Sequence, residues 1–239
     1  MKKFWGYASN GEFSVGCTGQ TVYLYNKAGI EIAKFKDIIY AYTPMFSPNG
    51  KLFVVKSTDG RLAAYSLKTL SLIKKFRFSK VNGAQDDGFC FSPDGKLFVN
   101  LEKHYEDSLC SVSFYDTADF SLANRYMIGE ETKIVHIEYD ADLNAYYILG
   151  FKGFEIFPRE YFIAVFENGQ IKNPVQIDCR EHASYNGYFS LKRFGFTEKS
   201  FEWSFFKYDS NYDRILPYEL NALKTIDLTL AKLYEKHSK

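Results

Sequence analysis

Ser47-Pro48-Asn49-Gly50-Lys51-Leu52-Phe53 returns 45 residues later as Ser92-Pro93-Asp94-Gly95-Lys96-Leu97-Phe98, and each copy follows a phenylalanine, Phe46 or Phe91. The interval is too long for one hairpin and suits one four-stranded sheet. A phrase recurring at such a period marks a repeat architecture, in which each unit buries its apolar face only by stacking on the next. Inside the phrase, Pro presets its own backbone angle and Gly accepts the positive φ of a tight turn. An apolar run follows each turn, Leu52-Phe53-Val54-Val55 or Leu97-Phe98-Val99, and such runs suit buried strands. Each copy therefore predicts a hairpin.

Weaker copies extend the register. Ser9-Asn10-Gly11-Glu12-Phe13 precedes the strong pair, and Tyr139 to Tyr146 and Phe196 to Trp203 follow it with the same aromatic, polar-turn, apolar order. A second landmark follows each turn: an apolar strand ending in an aromatic and then a polar residue. The instances are Tyr25-Asn26, Tyr65-Ser66, Tyr115-Asp116, Phe166-Glu167 and Tyr218-Glu219. A polar turn and another strand come next, such as Glu31 to Phe35 or Ser71 to Phe76. Two landmarks in constant order across five copies predict four strands per copy.

On these residues the chain resembles the WD-repeat-like β-propeller superfamily. Phe91 to Phe98 is similar to the first hairpin of such a blade, and Ser113-Phe114-Tyr115-Asp116 to the end of its third strand, where that family often carries Trp-Asp. The family's Gly-His dipeptide is missing and Tyr stands where Trp would, so its buried Asp-His-Ser/Thr-Trp network does not carry over. The resemblance implies an all-β fold, a single small propeller of about five four-stranded antiparallel blades. The expected blades span 3–37, 38–79, 86–130, 132–179 and 185–231, with a tail at 232–239. The first copy begins at its inner strand, so the ring is open or closed by packing alone. Two readings fit residues 217–234. Leu220, Leu223, Ile226, Leu230 and Leu233 have helical spacing, whereas Ile226 to Leu230 alternates as a strand does; the strand reading is preferred.

Composition bounds the function. Lys plus Arg number 30 against 29 Asp plus Glu, so nothing argues for a nucleic-acid partner or an anionic membrane. Aromatic residues make up 18%, which suits rings packed across pleated sheets. Cys17, Cys90, Cys110 and Cys179 are scattered without a C-x-x-C pair and read as buried free thiols. The segment Met1 to Tyr7 is basic and has no apolar core of its own. Neither a signal peptide nor a spanning segment is expected, and a cytoplasmic location is the default.

The sequence holds no G-x-S-x-G, H-E-x-x-H, P-loop or dinucleotide fingerprint. In a propeller, the loops joining second to third strands, and one blade to the next, share the face opposite the Pro-Asn/Asp-Gly turns. Those loops mix Arg, Tyr and His with carboxylates, as binding surfaces do. The candidate binding residues are His104, Tyr105, Glu106, Arg159, Arg180, His182 and Tyr185. A base–carboxylate pair can be written as His104 with Glu106 or His182 with Glu181, and an oxygen-ligand metal site as Asp87, Glu106 and Glu160. Neighbours on a loop need not point the same way, so no catalytic residue, metal or cofactor is assigned. Phe151 to Phe157 is read as packing, and Lys74, Lys75, Arg77 and Lys80 as protection of an outer strand. The expectation is a non-enzymatic scaffold for a protein partner or ligand, without nucleic-acid binding or membrane insertion. The alternative is a small propeller hydrolase or lyase with an acidic and histidine site near the axis.

Overall fold

The computed structural model describes residues 2–76, 81–83, 88–104, 109–129, 131–140, 144–152, 160–177, 188–193, 196–197, 200–201 and 204–208. Among them there is no helix, and every strand pairing is antiparallel. The first sheet is a meander of β1 (Gly6–Ser9), β2 (Phe13–Cys17), β3 (Val22–Asn26) and β4 (Glu31–Phe35). The second runs β5 (Ala41–Phe46), β6 (Leu52–Ser57), β7 (Leu62–Ser66), β8 (Ser71–Phe76). In the third, β9 (Val81–Gly83) pairs with the far end of β11 (Leu97–His104), and β10 (Phe89–Phe91), β11, β12 (Cys110–Asp116) and β13 (Leu122–Ile128) form the meander. The fourth is β14 (Thr132–Asp140), β15 (Ala145–Lys152), β16 (Glu160–Glu167) and β17 (Gln170–Ile177). Beyond it, β18 (Tyr188–Arg193) pairs with β21 (Ser204–Tyr208), and β19 (Phe196–Thr197) with β20 (Ser200–Phe201).

Both sequence landmarks fall where a meander requires them. The third strand of each complete sheet ends on its aromatic–polar pair: Asn26, Ser66, Asp116 and Glu167. In the four complete sheets the turn copies join first to second strands, including Tyr139 facing Tyr146, and the fifth copy lies in the two-stranded β19–β20 pair, where Phe196 faces Phe201. Tyr218-Glu219 and residues 217–234 lie outside the described residues. Lys74 and Lys75 lie exposed on β8, which pairs only with β7. Arg77 and Lys80 also lie outside the described residues.

Successive sheets bury their faces against each other, and β6 shows how. All six of its residues are buried. Phe53 and Val55 pack toward the first sheet, with Val15, Leu24, Phe35 and Tyr65. Leu52 and Val54 pack toward the third, with Phe76, Phe89, Phe91 and Phe98. A strand buried on both faces reads as a continuous apolar run rather than an alternation. The third and fourth sheets share a further seam of Val99, Leu101, Val112, Ile137, Ile148 and Phe162. The abundant rings fill these seams. Phe53 stacks on Tyr65 at 4.9 Å between centroids, and Phe98 lies 5.4 to 5.9 Å from Phe91, Phe89 and Phe120. Each fully buried ring stabilises the fold by about 1.5–3 kcal/mol.

The repeated turns are built alike. Ser47 Oγ bonds Asn49 Oδ1 at 2.8 Å and accepts from the Leu52 amide; Ser92 Oγ bonds Asp94 Oδ1 at 2.7 Å and accepts from the Leu97 amide. The Asn49 and Asp94 oxygens also accept the amides of Lys51 and Lys96. The Lys96 amide and then the Ser92 hydroxyl, both donating to it, hold the Asp94 carboxyl below the usual carboxylate range. The turns touch: Asn49 Nδ2 donates to the Gly95 carbonyl at 3.2 Å, and Thr117 Oγ1 donates to the same oxygen at 2.7 Å. Gly95 has φ +66°, and a Cβ there would lie 2.5 Å from Asn49 Nδ2, so this position requires glycine.

Candidate functional site

Alternation along β11 sends Val99 and Leu101 into one seam and Phe98, Asn100 and Glu102 into the other. Opposite them on β12, Ser113 faces Asn100, Ser111 faces Glu102, and Tyr115 faces Phe98. A polar cluster results at the seam of the second and third sheets, toward the end opposite the repeated turns. Glu102 is 1% exposed and lies at its centre. Its Oε1 accepts from Tyr115 Oη and, at 3.4 Å, from Asn100 Nδ2. Its Oε2 accepts from Ser113 Oγ at 2.8 Å and from Arg125 Nη2 at 2.9 Å. Arg125 also donates from Nε to Ser113 Oγ at 2.9 Å. Across the seam, Lys56 is fully buried and donates to Asn100 Oδ1 at 3.2 Å and the Gly88 carbonyl at 3.3 Å. Its ammonium sits 5.3 Å from the centroid of the Phe89 ring.

The groups of this buried cluster are turned on one another. A buried carboxylate with several donors is a satisfied structural charge. Burial, and next the Glu102 carboxylate, push the Tyr115 phenol well above its ordinary value, so it remains a donor. The described cysteines are free and buried. Burial pushes the Cys17 thiol up to about 12 and raises Cys90 and Cys110 as well, so none of them supplies a thiolate near neutral pH. Among the described residues, no group of three or more His, Cys, Asp or Glu side chains is placed to hold a metal ion. Within the same set, no helix is long and apolar enough to cross a membrane.

Of the residues singled out by sequence, His104 ends β11, and its Nε2 lies 2.9 Å from Ser111 Oγ, on the margin of the polar cluster. Tyr105, Glu106, Arg159, Arg180, His182 and Tyr185 lie outside the described residues, as do Asp87 and Glu181. His136, on β14, places Nε2 3.3 Å from Glu138 Oε2. Sequence reading passed over the Lys56–Glu102 cluster. Its signal was the phase of the polar residues: Asn100 and Glu102 share the face of Phe98, and Ser111 and Ser113 that of Tyr115.

Among the described residues, a groove opens on the turn face at each of the seams between the four complete sheets. The first, of about 600 Å³, lies between Ser9-Asn10 and Pro48-Asn49. The second, of about 840 Å³, is lined by Lys51, Lys68 and Lys96 together with Leu52, Leu67 and Ile73. The third, of about 510 Å³, is lined by Phe114, Tyr126, Tyr146 and Phe166 with Asn144 and Asn168. These volumes fall within the range of small-ligand clefts.

No family model matches the chain, and no curated protein matches its sequence. Solved structures do match its fold. Hydrazine synthase of Kuenenia stuttgartiensis aligns at 15% identity with a TM-score of 0.61, over 84% of this chain and 63% of that one. The dihydro-heme d1 dehydrogenase NirN, solved in complex with DHE, aligns at 19% identity with a TM-score of 0.55, over 90% of this chain and 45% of that one. The chain thus spans less than two thirds of either. At such identities the likeness is one of fold, and with the stacked meanders it defines a β-propeller.

Proposed function

We propose that this chain is a non-enzymatic interaction module, a propeller that offers loop surfaces to a protein partner or ligand. The observation that carries the reading is the Lys56–Asn100–Glu102–Arg125 cluster. There the buried acid Glu102 and the bases Lys56 and Arg125 are each spent on hydrogen bonds inside a seam. Catalysis needs such a group aimed at a substrate-sized space. Kinship with the WD-repeat proteins belongs to the same reading and is supported by the matching turns at Ser47 and Ser92. The loop face opposite those turns, with His104, Tyr105, Glu106, Arg159, Arg180, His182 and Tyr185, is the proposed principal surface, and the cytoplasm the proposed location.

The test is quantitative affinity capture from the native host. Wild type is compared with an Arg159→Ala, His182→Ala, Tyr185→Ala variant of equal melting temperature. At least one abundant partner should be lost from the variant. Identical partner profiles would overturn the choice of face. Turnover of ester, glycoside or phosphate substrates by wild type, abolished in His104→Ala, would overturn the non-enzymatic reading.

A further inference from the structure

The Lys residue of each repeated phrase lies on the wall of one groove. Lys51 belongs to the second sheet's turn and Lys96 to the third's, and Lys68 comes from the turn between β7 and β8. The backbone carrying them is fixed. The Lys51 carbonyl accepts the Leu67 amide at 3.0 Å, and the Lys96 carbonyl accepts the Thr117 amide at 2.8 Å. The Asn49-to-Gly95 bond locks the two turns together across the seam. All three lysines are exposed. Lys96 pairs with Asp94 at 3.3 Å, while Lys51 and Lys68 have no ion pair among the described residues. Asp116 is the one carboxylate in the lining. The floor is aliphatic, and Ile73 is 37% exposed.

From this frame we infer that the groove between the second and third sheets is a docking site for an acidic peptide segment with an aliphatic or aromatic anchor. The lysines face the peptide's carboxylates, and the anchor covers Ile73 and Leu67. Charge complementarity selects this occupant: a protein of net charge +1 concentrates three ammonium groups around one cleft. A single-stranded nucleic acid fits less well. The lining offers one ring, Phe13, where base stacking uses successive aromatic platforms, and it contains no Arg. The surface is a second one, on the face opposite the proposed principal surface. It rests on the interaction-module reading for its biological use but is tested separately.

The experiment is fluorescence anisotropy with the full chain and a short labelled peptide in which a Leu-Phe pair is flanked by glutamates. Its counterpart carries lysines in place of the glutamates. The acidic peptide should bind and weaken as salt rises, and the lysine peptide should not bind. Reversing the three charges (Lys51→Glu, Lys68→Glu, Lys96→Glu) should weaken the acidic peptide about tenfold or more, since exposed pairs contribute up to about 1 kcal/mol each. Neutral Lys→Gln changes at the same positions should give a smaller loss at an unchanged melting temperature, which separates lost charge from lost fold. Equal binding of the two peptides, no binding of either, or unchanged affinity in the charge-reversed protein would overturn the inference. So would tighter binding of a single-stranded oligonucleotide that displaces the peptide. Failed peptide binding combined with loss of a native partner in the Arg159, His182 and Tyr185 variant would leave the principal surface standing while this one fails.

Discussion

The seams on either side of β6 share one architecture and differ in chemistry. Toward the first sheet, β6 sends Phe53 and Val55 into a cluster whose rings stack and tilt on Phe35 and Tyr65. Toward the third sheet, it sends Leu52 and Val54 into an equally aromatic cluster, and then Lys56 into the Asn100–Glu102–Arg125 set. One residue of phase along a single strand separates an apolar seam from one holding buried charge. An apolar seam tolerates many combinations of equal volume. A buried ion set accepts one register, because a slipped strand would strand Lys56 or Glu102 without a partner.

Mutations can break that contrast. Phe53→Ala should cost the most, about 4 kcal/mol, as a buried ring gives way to a cavity, read as a fall in the urea midpoint. Glu102→Ala should cost about 3 kcal/mol by removing the acceptor for Tyr115, Asn100, Ser113 and Arg125. Replacing Lys56, Glu102 and Arg125 together by Met, Leu and Met should recover more than half of that loss, because the charges leave as a set. A triple variant less stable than Glu102→Ala would show that the seam has no room for an apolar solution.

Gly95→Ala should cost about 2 kcal/mol, as a side chain enters positive φ against Asn49; thermal melting reports it. Alkali should weaken the fold progressively. The Cys17 thiol rises from an ordinary 9.0 to about 12 on folding. Its raised folded value makes the contribution complete below about pH 9 and lost as pH climbs toward 12, at about 1.4 kcal/mol per pH unit for each such group. Urea midpoints at rising pH should show this decline, and Cys17→Ala should flatten it. The smallest effect belongs to Asn49→Ala, about 1 kcal/mol, as an exposed turn loses the bond to Gly95 together with those from Ser47 and the Lys51 amide. A double-mutant cycle with Thr117→Val should show coupling, since both side chains donate to one carbonyl.

The fold was legible because its punctuation is chemical. Ser-Pro-Asn/Asp-Gly-Lys and the aromatic–polar strand ends depend on local backbone geometry, so they survive in the sequence where core residues interchange freely. The polar cluster was harder to see because its members come from four strands in two sheets, and only the packing of the second sheet on the third links Lys56 to Glu102, through Asn100. The lysine groove was hidden differently. Lys51 and Lys96 stand inside the motif and read as part of the turn, while Lys68 is an ordinary turn residue until the Leu67 amide is placed on the Lys51 carbonyl.

The bond from Asn49 to Gly95 has a consequence for how the molecule opens. Hairpins on separate sheets would ordinarily fray one at a time. Here the two turns are clasped, and the second cannot lift away without releasing an acceptor on the third. Local unfolding should therefore gather both hairpins into one cooperative unit, and their amide protons should exchange with solvent in step.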